Sequence, residues 1–187
     1  MKGIVFREFI DMVENEFSLE IADAIITASE LSTNGAYTSV GTYPHGEMVS
    51  LVTNLSQQTG QPVPALLHHF GRHLFKRFTV IHPQYVTNYH SAFQLLQQLD
   101  GNIHVEVKKL YHDAELPAFS YEALPEGGMH FDYRSQRGLA DFAEGLIEGC
   151  IDHFGQPISV SRTDLPADEH GAHTRFTLKR SADVHAG

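Results

Sequence analysis

Residues 129–155, MHFDYRSQRGLADFAEGLIEGCIDHFG, pass from one periodicity to another. In the first part Tyr133, Ser135 and Arg137 stand at every second position, and in an extended strand residues two apart share a face. From Gly138 the apolar residues recur at helical spacing, and Gly155 closes the run as glycine commonly closes a helix. After this helix PISVSRTD and AHTRFTLK alternate as strands, while AFSYEALPEGGMHFDYRSQ reads as a hairpin around its Pro/Gly turn. The expectation is a four-stranded antiparallel sheet with one helix inserted.

Upstream the chain is helical. GIVFREFIDMVEN (3–15) and SLEIADAIITASE (18–30, with Ser18 as cap) are amphipathic, and a third helix is expected from about Gly46 to Gly60 after a loop punctuated by Asn-Gly and Pro. A fourth runs from the prolines of GQPVPALLHHFGRHLFKRF to Phe78, with Pro62 as a hinge. QYVTNYHSAFQLLQQL (84–99) sets Tyr85, Tyr89, Ala92, Phe93, Leu96 and Leu99 on one face and predicts the clearest helix of the chain. IHVEVKKLY (103–111) fits a strand by alternation and a short helix by its lysine pair. Helices first and a sheet afterwards make the fold α+β, not a doubly wound parallel sheet.

The 187 residues suit one domain, with no apolar run near the roughly 20 residues of a membrane span and no secretion signal, so a soluble cytoplasmic protein is expected. A net charge of −10 argues against nucleic acid as partner. The single Cys150 excludes an intrachain disulfide and a cysteine-rich zinc cluster.

Thirteen histidines are the unusual count, and they raise the question of a metal. His69 and His73, four apart on a helix, could share a zinc ion, but Phe70 and Gly71 stand where His-Glu-x-x-His would carry its base, and a solvated or capping face is the favoured explanation of the pair. The chain has no Gly-x-Ser-x-Gly elbow, and the glycines of EGGMH precede a strand rather than a phosphate-binding helix.

The row Tyr133, Ser135, Arg137 offers a phenol, a hydroxyl and a guanidinium, three donors suited to an anion. A wet strand face would also explain it. His104 adds weight to the anion reading, because it follows the 84–99 segment among apolar Ile103, Val105 and Val107. A histidine that faces the same cavity as such a row is a candidate axial ligand for haem, whose propionates would be the anions.

At these residues the sequence resembles the H-NOX family of haem-nitric oxide/oxygen binding domains. MKGIVFREF is similar to the family's N-terminus, DGNIHVEVKKLYHDAELP to its histidine segment, YRSQR to its Tyr-x-Ser-x-Arg motif and GLIEG to the helix that follows. The resemblance covers nearly the whole chain. It implies haem b held between a distal helical lobe (1–62) and a proximal lobe with the sheet (63–181); the tail (182–187) is expected to be disordered as a chain terminus. It further implies His104 on the iron, Tyr133, Ser135 and Arg137 on the propionates, and Pro117 packed against the porphyrin.

By the same resemblance Val5, Phe9, Leu74, Phe78, Phe142 and Leu146 surround the distal face. None donates a hydrogen bond, and Phe142 stands where oxygen-binding members carry a tyrosine. The implied function is a nitric oxide sensor, also binding CO, that excludes oxygen and is not an enzyme. Release of His104 and lobe movement would signal to a separate protein, a histidine kinase before a cyclic-di-GMP enzyme. The alternatives are a haem carrier or oxygen-binding module, a mononuclear metal enzyme using His68, His69 or His73, and a cofactor-free interaction domain.

Overall fold

The computed structural model describes residues 1–125 and 127–181, so the tail expected to be disordered lies outside the described residues. Four long helices come first: α1 (Gly3–Glu16), α2 (Leu19–Ala28), α3 (His45–Thr59) and α4 (Val63–Ile81). Each has a local reason to start or stop. Ser18 Oγ accepts the Ile21 amide at 3.2 Å and opens α2, Gly60 ends α3 with φ 72°, and α4 carries a proline in its first turn, where no amide donor is needed. Their apolar stripes meet in one core that includes Phe6, Phe9, Ile25, Leu51, Leu55, Leu66 and Phe70.

The single helix expected over 84–99 is not formed. A 3₁₀ turn occupies Pro83–Tyr85, and only α5 (Ala92–Gln97) is α-helical in that stretch. The cause lies in side chains that bond to the backbone: Ser91 Oγ accepts the Gln94 amide at 3.2 Å, and Gln94 Oε1 accepts the His90 amide at 2.9 Å. Together they cap a new helix where the apolar spacing suggests continuity. A π turn (Leu99–Ile103) follows, and IHVEVKKLY resolves as a helix, α6 (His104–Leu110). Lys108 and Lys109 in the last turn of α6 suit its negative end.

The sheet is antiparallel throughout, in the order β1 (Ala118–Ala123), β2 (Met129–Ser135), β4 (Gly171–Arg180), β3 (Ile158–Asp168), with α7 (Ala140–Phe154) inserted after β2. Met129, Phe131, Tyr133, Phe176 and Leu178 form a second core with Ala143, Ile147, Cys150 and Ile151 of α7. On the other face of the sheet Asp132 accepts two hydrogen bonds from Arg175, at 2.7 and 2.9 Å.

Helices α4 and α7 join the two cores. They approach so closely that a Cβ on Gly145 would run into the His68 carbonyl, and one on Gly71 into the Phe142 carbonyl. No residue with a side chain fits these two positions without moving a helix.

Candidate functional site

One cavity of about 610 Å³ opens between α1, α4, α6, α7 and the sheet. Its volume falls in the range of roughly 300–1,000 Å³ usual for cofactor pockets. Ten of the eleven residues singled out from the sequence line it: Val5, Leu74, Phe78, His104, Pro117, Tyr133, Ser135, Arg137, Phe142 and Leu146. The eleventh, Phe9, is buried one layer behind. Its ring meets Phe70 edge-on at 5.1 Å, and Phe70 stacks on Phe142 at 5.2 Å.

The donor row is built in two pieces. Tyr133 and Ser135 point inward from β2, but the strand ends at Ser135, and Arg137 reaches the cavity from the turn that follows. Alternation alone therefore does not carry the third member. The turn is organised by the hydroxyl itself, since Ser135 Oγ accepts the Arg137 amide at 3.1 Å. Burial raises the Tyr133 phenol, which keeps it a protonated donor at neutral pH. The Arg137 guanidinium is mostly covered and donates to the exposed Glu115 carboxylate at 2.9 Å.

His104 begins α6. Its Nδ1 lies 2.6 Å from Asp100 Oδ1, and the other oxygen of Asp100 accepts the Phe119 amide at 2.8 Å. Among the described residues no hydrogen bond reaches Nε2. The ring packs beside Phe119, with centroids 5.7 Å apart.

Several lining residues were not anticipated from the sequence. His82 and Tyr85 enter through the 3₁₀ turn, where the expected long helix is interrupted, and Lys2, Thr42 and Asp113 come together at the rim. Asp100 carried a readable signal, a carboxylate four residues before a candidate ligand, but the ligand's own segment was open between strand and helix.

The other histidines considered for a metal are paired across helices. His69 and His73 both meet Glu16, the latter at 3.1 Å, and His68 lies 3.1 Å from Glu148. No group of three or more His, Cys, Asp or Glu side chains is placed to hold a metal ion among the described residues. Cys150 is buried, and burial pushes its thiol well above the usual range, which leaves it unreactive. No described helix is long and apolar enough to cross a membrane.

The residues present suit a haem group. His104 Nε2 has no hydrogen-bond partner among the described residues, the interior is mostly apolar, and the donors Tyr133, Ser135 and Arg137 line the same cavity. Residues 2–162 match the model of the Haem-NO-binding family. The fold is similar to that of an Fe(II) unliganded H-NOX protein from K. algicida (36% identity, 100% of each chain covered, TM-score 0.87). It is similar also to an H-NOX protein from S. oneidensis in the Fe(II)NO state (28% identity, 97% of this chain and 99% of that one, TM-score 0.86). A third is the IWP-051-bound H-NOX from Shewanella woodyi in the Fe(II)CO state (37% identity, 97% and 95% covered, TM-score 0.83). A comparison with curated protein sequences finds no match. With a family match over nearly its whole length and a fold shared from end to end, the chain belongs to the Haem-NO-binding family, the H-NOX proteins.

Proposed function

We propose that this protein is a haem-based nitric oxide sensor that excludes oxygen. The observation that carries the reading is the wall of Val5, Leu74, Phe78, Phe142 and Leu146, five side chains without a donor, in the same cavity as His104. Ferrous haem b supplies reversible binding of a diatomic gas. His104 would hold its iron through Nε2, Tyr133, Ser135 and Arg137 would hold its propionates, and Pro117 would pack against its ring. Bound oxygen gathers negative charge and profits from a nearby donor, whereas nitric oxide binds ferrous iron strongly without one. The Fe(II)NO and Fe(II)CO states of the S. oneidensis and S. woodyi proteins support nitric oxide and CO as ligands.

The signal is a change between two packed arrangements, driven by the difference in gas affinity between them. His104 would link the bound cofactor to α6 and the loop after it, and a shift of the lobe of residues 1–62 against that of residues 63–181 would carry the signal outward. The output passes to a separate signalling protein, with a histidine kinase favoured over a cyclic-di-GMP enzyme. That choice rests on family analogy.

His82 and Tyr85 favour a second reading, an oxygen-binding haem module, because both line the cavity and each has a group that can donate. Absorption spectra separate the two. The protein is reduced without air, then exposed in turn to air and to nitric oxide. A sensor keeps its ferrous Soret band in brief air and changes it with nitric oxide. A stable oxy spectrum selects the second reading, and no Soret band after haem reconstitution overturns both.

A further inference from the structure

We infer that Asp100 is a positioning residue for His104: its carboxylate fixes which ring nitrogen is free and sets how firmly His104 is held to the iron. The inference rests on the reading of His104 as the iron ligand.

The geometry begins in the backbone. The amides of Asn102 and Ile103 both donate to the Gln98 carbonyl, at 2.9 and 3.1 Å, so the second of these bonds spans five residues. This is the widened turn of a π segment, Leu99–Ile103, and such turns recur at functional sites. His104 follows it directly. The turn brings the Asp100 carboxylate to 2.6 Å from Nδ1.

A carboxylate accepts hydrogen bonds and cannot donate them when ionised, so the contact requires the proton of a neutral imidazole to sit on Nδ1. Nε2 then carries the lone pair. A carboxylate behind a metal-binding histidine also increases the electron donation of the ring, and such partners commonly change metal affinity by 10–100-fold.

Asp100 is itself held. Its second oxygen takes the amide of Phe119, which pairs with Tyr133 across β1 and β2. The ring of Phe119 then packs on the imidazole from the side. Position and orientation of His104 are thus tied to the strand that neighbours the donor row, not only to its own helix. An ordinary solvated i, i+4 contact would lack this anchor. The pair is half open to water, with Asp100 40% and His104 16% exposed at the side chain, so it is the anchor that keeps it formed.

Two variants test the role. Asp100→Asn keeps the shape and an acceptor for the Phe119 amide but removes the charge, and Asp100→Ala removes both. In the haem-free protein, ¹⁵N NMR of the His104 ring reports the tautomer: Nδ1–H is expected in the parent and a mixture in Asp100→Ala. In the ferrous holoprotein, resonance Raman reports the iron–histidine stretch, expected to fall from parent to Asn to Ala. Loss of that stretch on nitric oxide addition should be about tenfold faster in Asp100→Asn. Should Asp100→Ala fail to fold, the Asn variant carries the Raman and kinetic readouts. An unchanged stretch across the folded variants overturns the role of Asp100 alone. Haem bound in the parent without a histidine stretch overturns the ligand reading and this inference with it.

Discussion

Lys2 Nζ lies 3.0 Å from Asp113 Oδ1, joining the start of α1 to the loop that follows the His104 helix. Thr42 completes the junction, accepting from Lys2 at 2.8 Å and donating to Asp113, while the Lys2 ammonium sits 5.2 Å from the Tyr111 ring centroid. Lys2 and Thr42 are also bridged through their backbones. The N-terminal helices and the segment carrying His104 therefore meet in a small polar cluster at the cavity rim.

That cluster has a pH signature. The hydroxyl of Thr42 and the ammonium of Lys2 lower the Asp113 carboxyl to about 2. A carboxylate depressed on folding stabilises above its unfolded value of about 3.9 and loses that contribution as pH falls through the folded one. Thermal melts of the parent and Asp113→Asn should differ above about pH 4 and converge as the pH falls to about 2. A difference that persists at the acid end would contradict the assignment.

Arg137→Ala should speed haem loss to an acceptor protein by about 10–100-fold, the equivalent of the ~1.5–3 kcal/mol of a charge-assisted hydrogen bond. Arg137→Lys should recover only part, because a point charge does not reproduce the two-pronged fit of guanidinium to carboxylate. Equal rates for all three proteins would remove Arg137 from the propionate site.

Phe142→Tyr places a phenol in the donor-free wall. One added hydrogen bond of about 1 kcal/mol should raise oxygen affinity several-fold and make an oxy spectrum visible in air. Since Phe142 stacks on Phe70, a circular dichroism melt should accompany the spectra to show that the packing survives.

His104→Gly should yield a protein whose haem binding and ferrous spectrum recover on adding imidazole. A native ferrous spectrum without imidazole would assign the iron ligand elsewhere.

Gly145→Ala tests the crossing of α4 and α7. The new methyl has no room beside the His68 carbonyl, so the variant should lose about 1–3 kcal/mol despite alanine's better helix propensity. In a chain of this size that corresponds to a melting temperature lower by roughly 2–12 °C.

The α+β class, the order of helices and strands, and the shared face of Tyr133 and Ser135 were legible because burial imposes a periodicity on the chain, whereas the segment of His104 fits a strand and a helix alike. Phe131, Tyr133 and Ser135 follow the two-residue period of a strand and share one buried face, and Phe6, Phe9, Ile10 and Val13 follow the period of a helix. Where the backbone is set by single side-chain bonds instead, periodicity misleads. Ser91 and Gln94 break a run that is apolar at helical spacing, and Ser135 carries Arg137 around a turn that alternation does not describe.

Local patterning was thus enough to give the class of the fold and most of its elements, because burial patterns depend on each residue and its near neighbours, whereas the assignment of side chains to a haem came from the resemblance to the H-NOX family. Tertiary packing assigned the rest. It moved Phe9 behind Phe70, brought His82 and Tyr85 into the cavity, closed Lys2 on Asp113 across 111 residues of sequence, and anchored Asp100 on Phe119. These relations link residues far apart in the chain, and no local period encodes a contact that forms only when two separately folded faces meet.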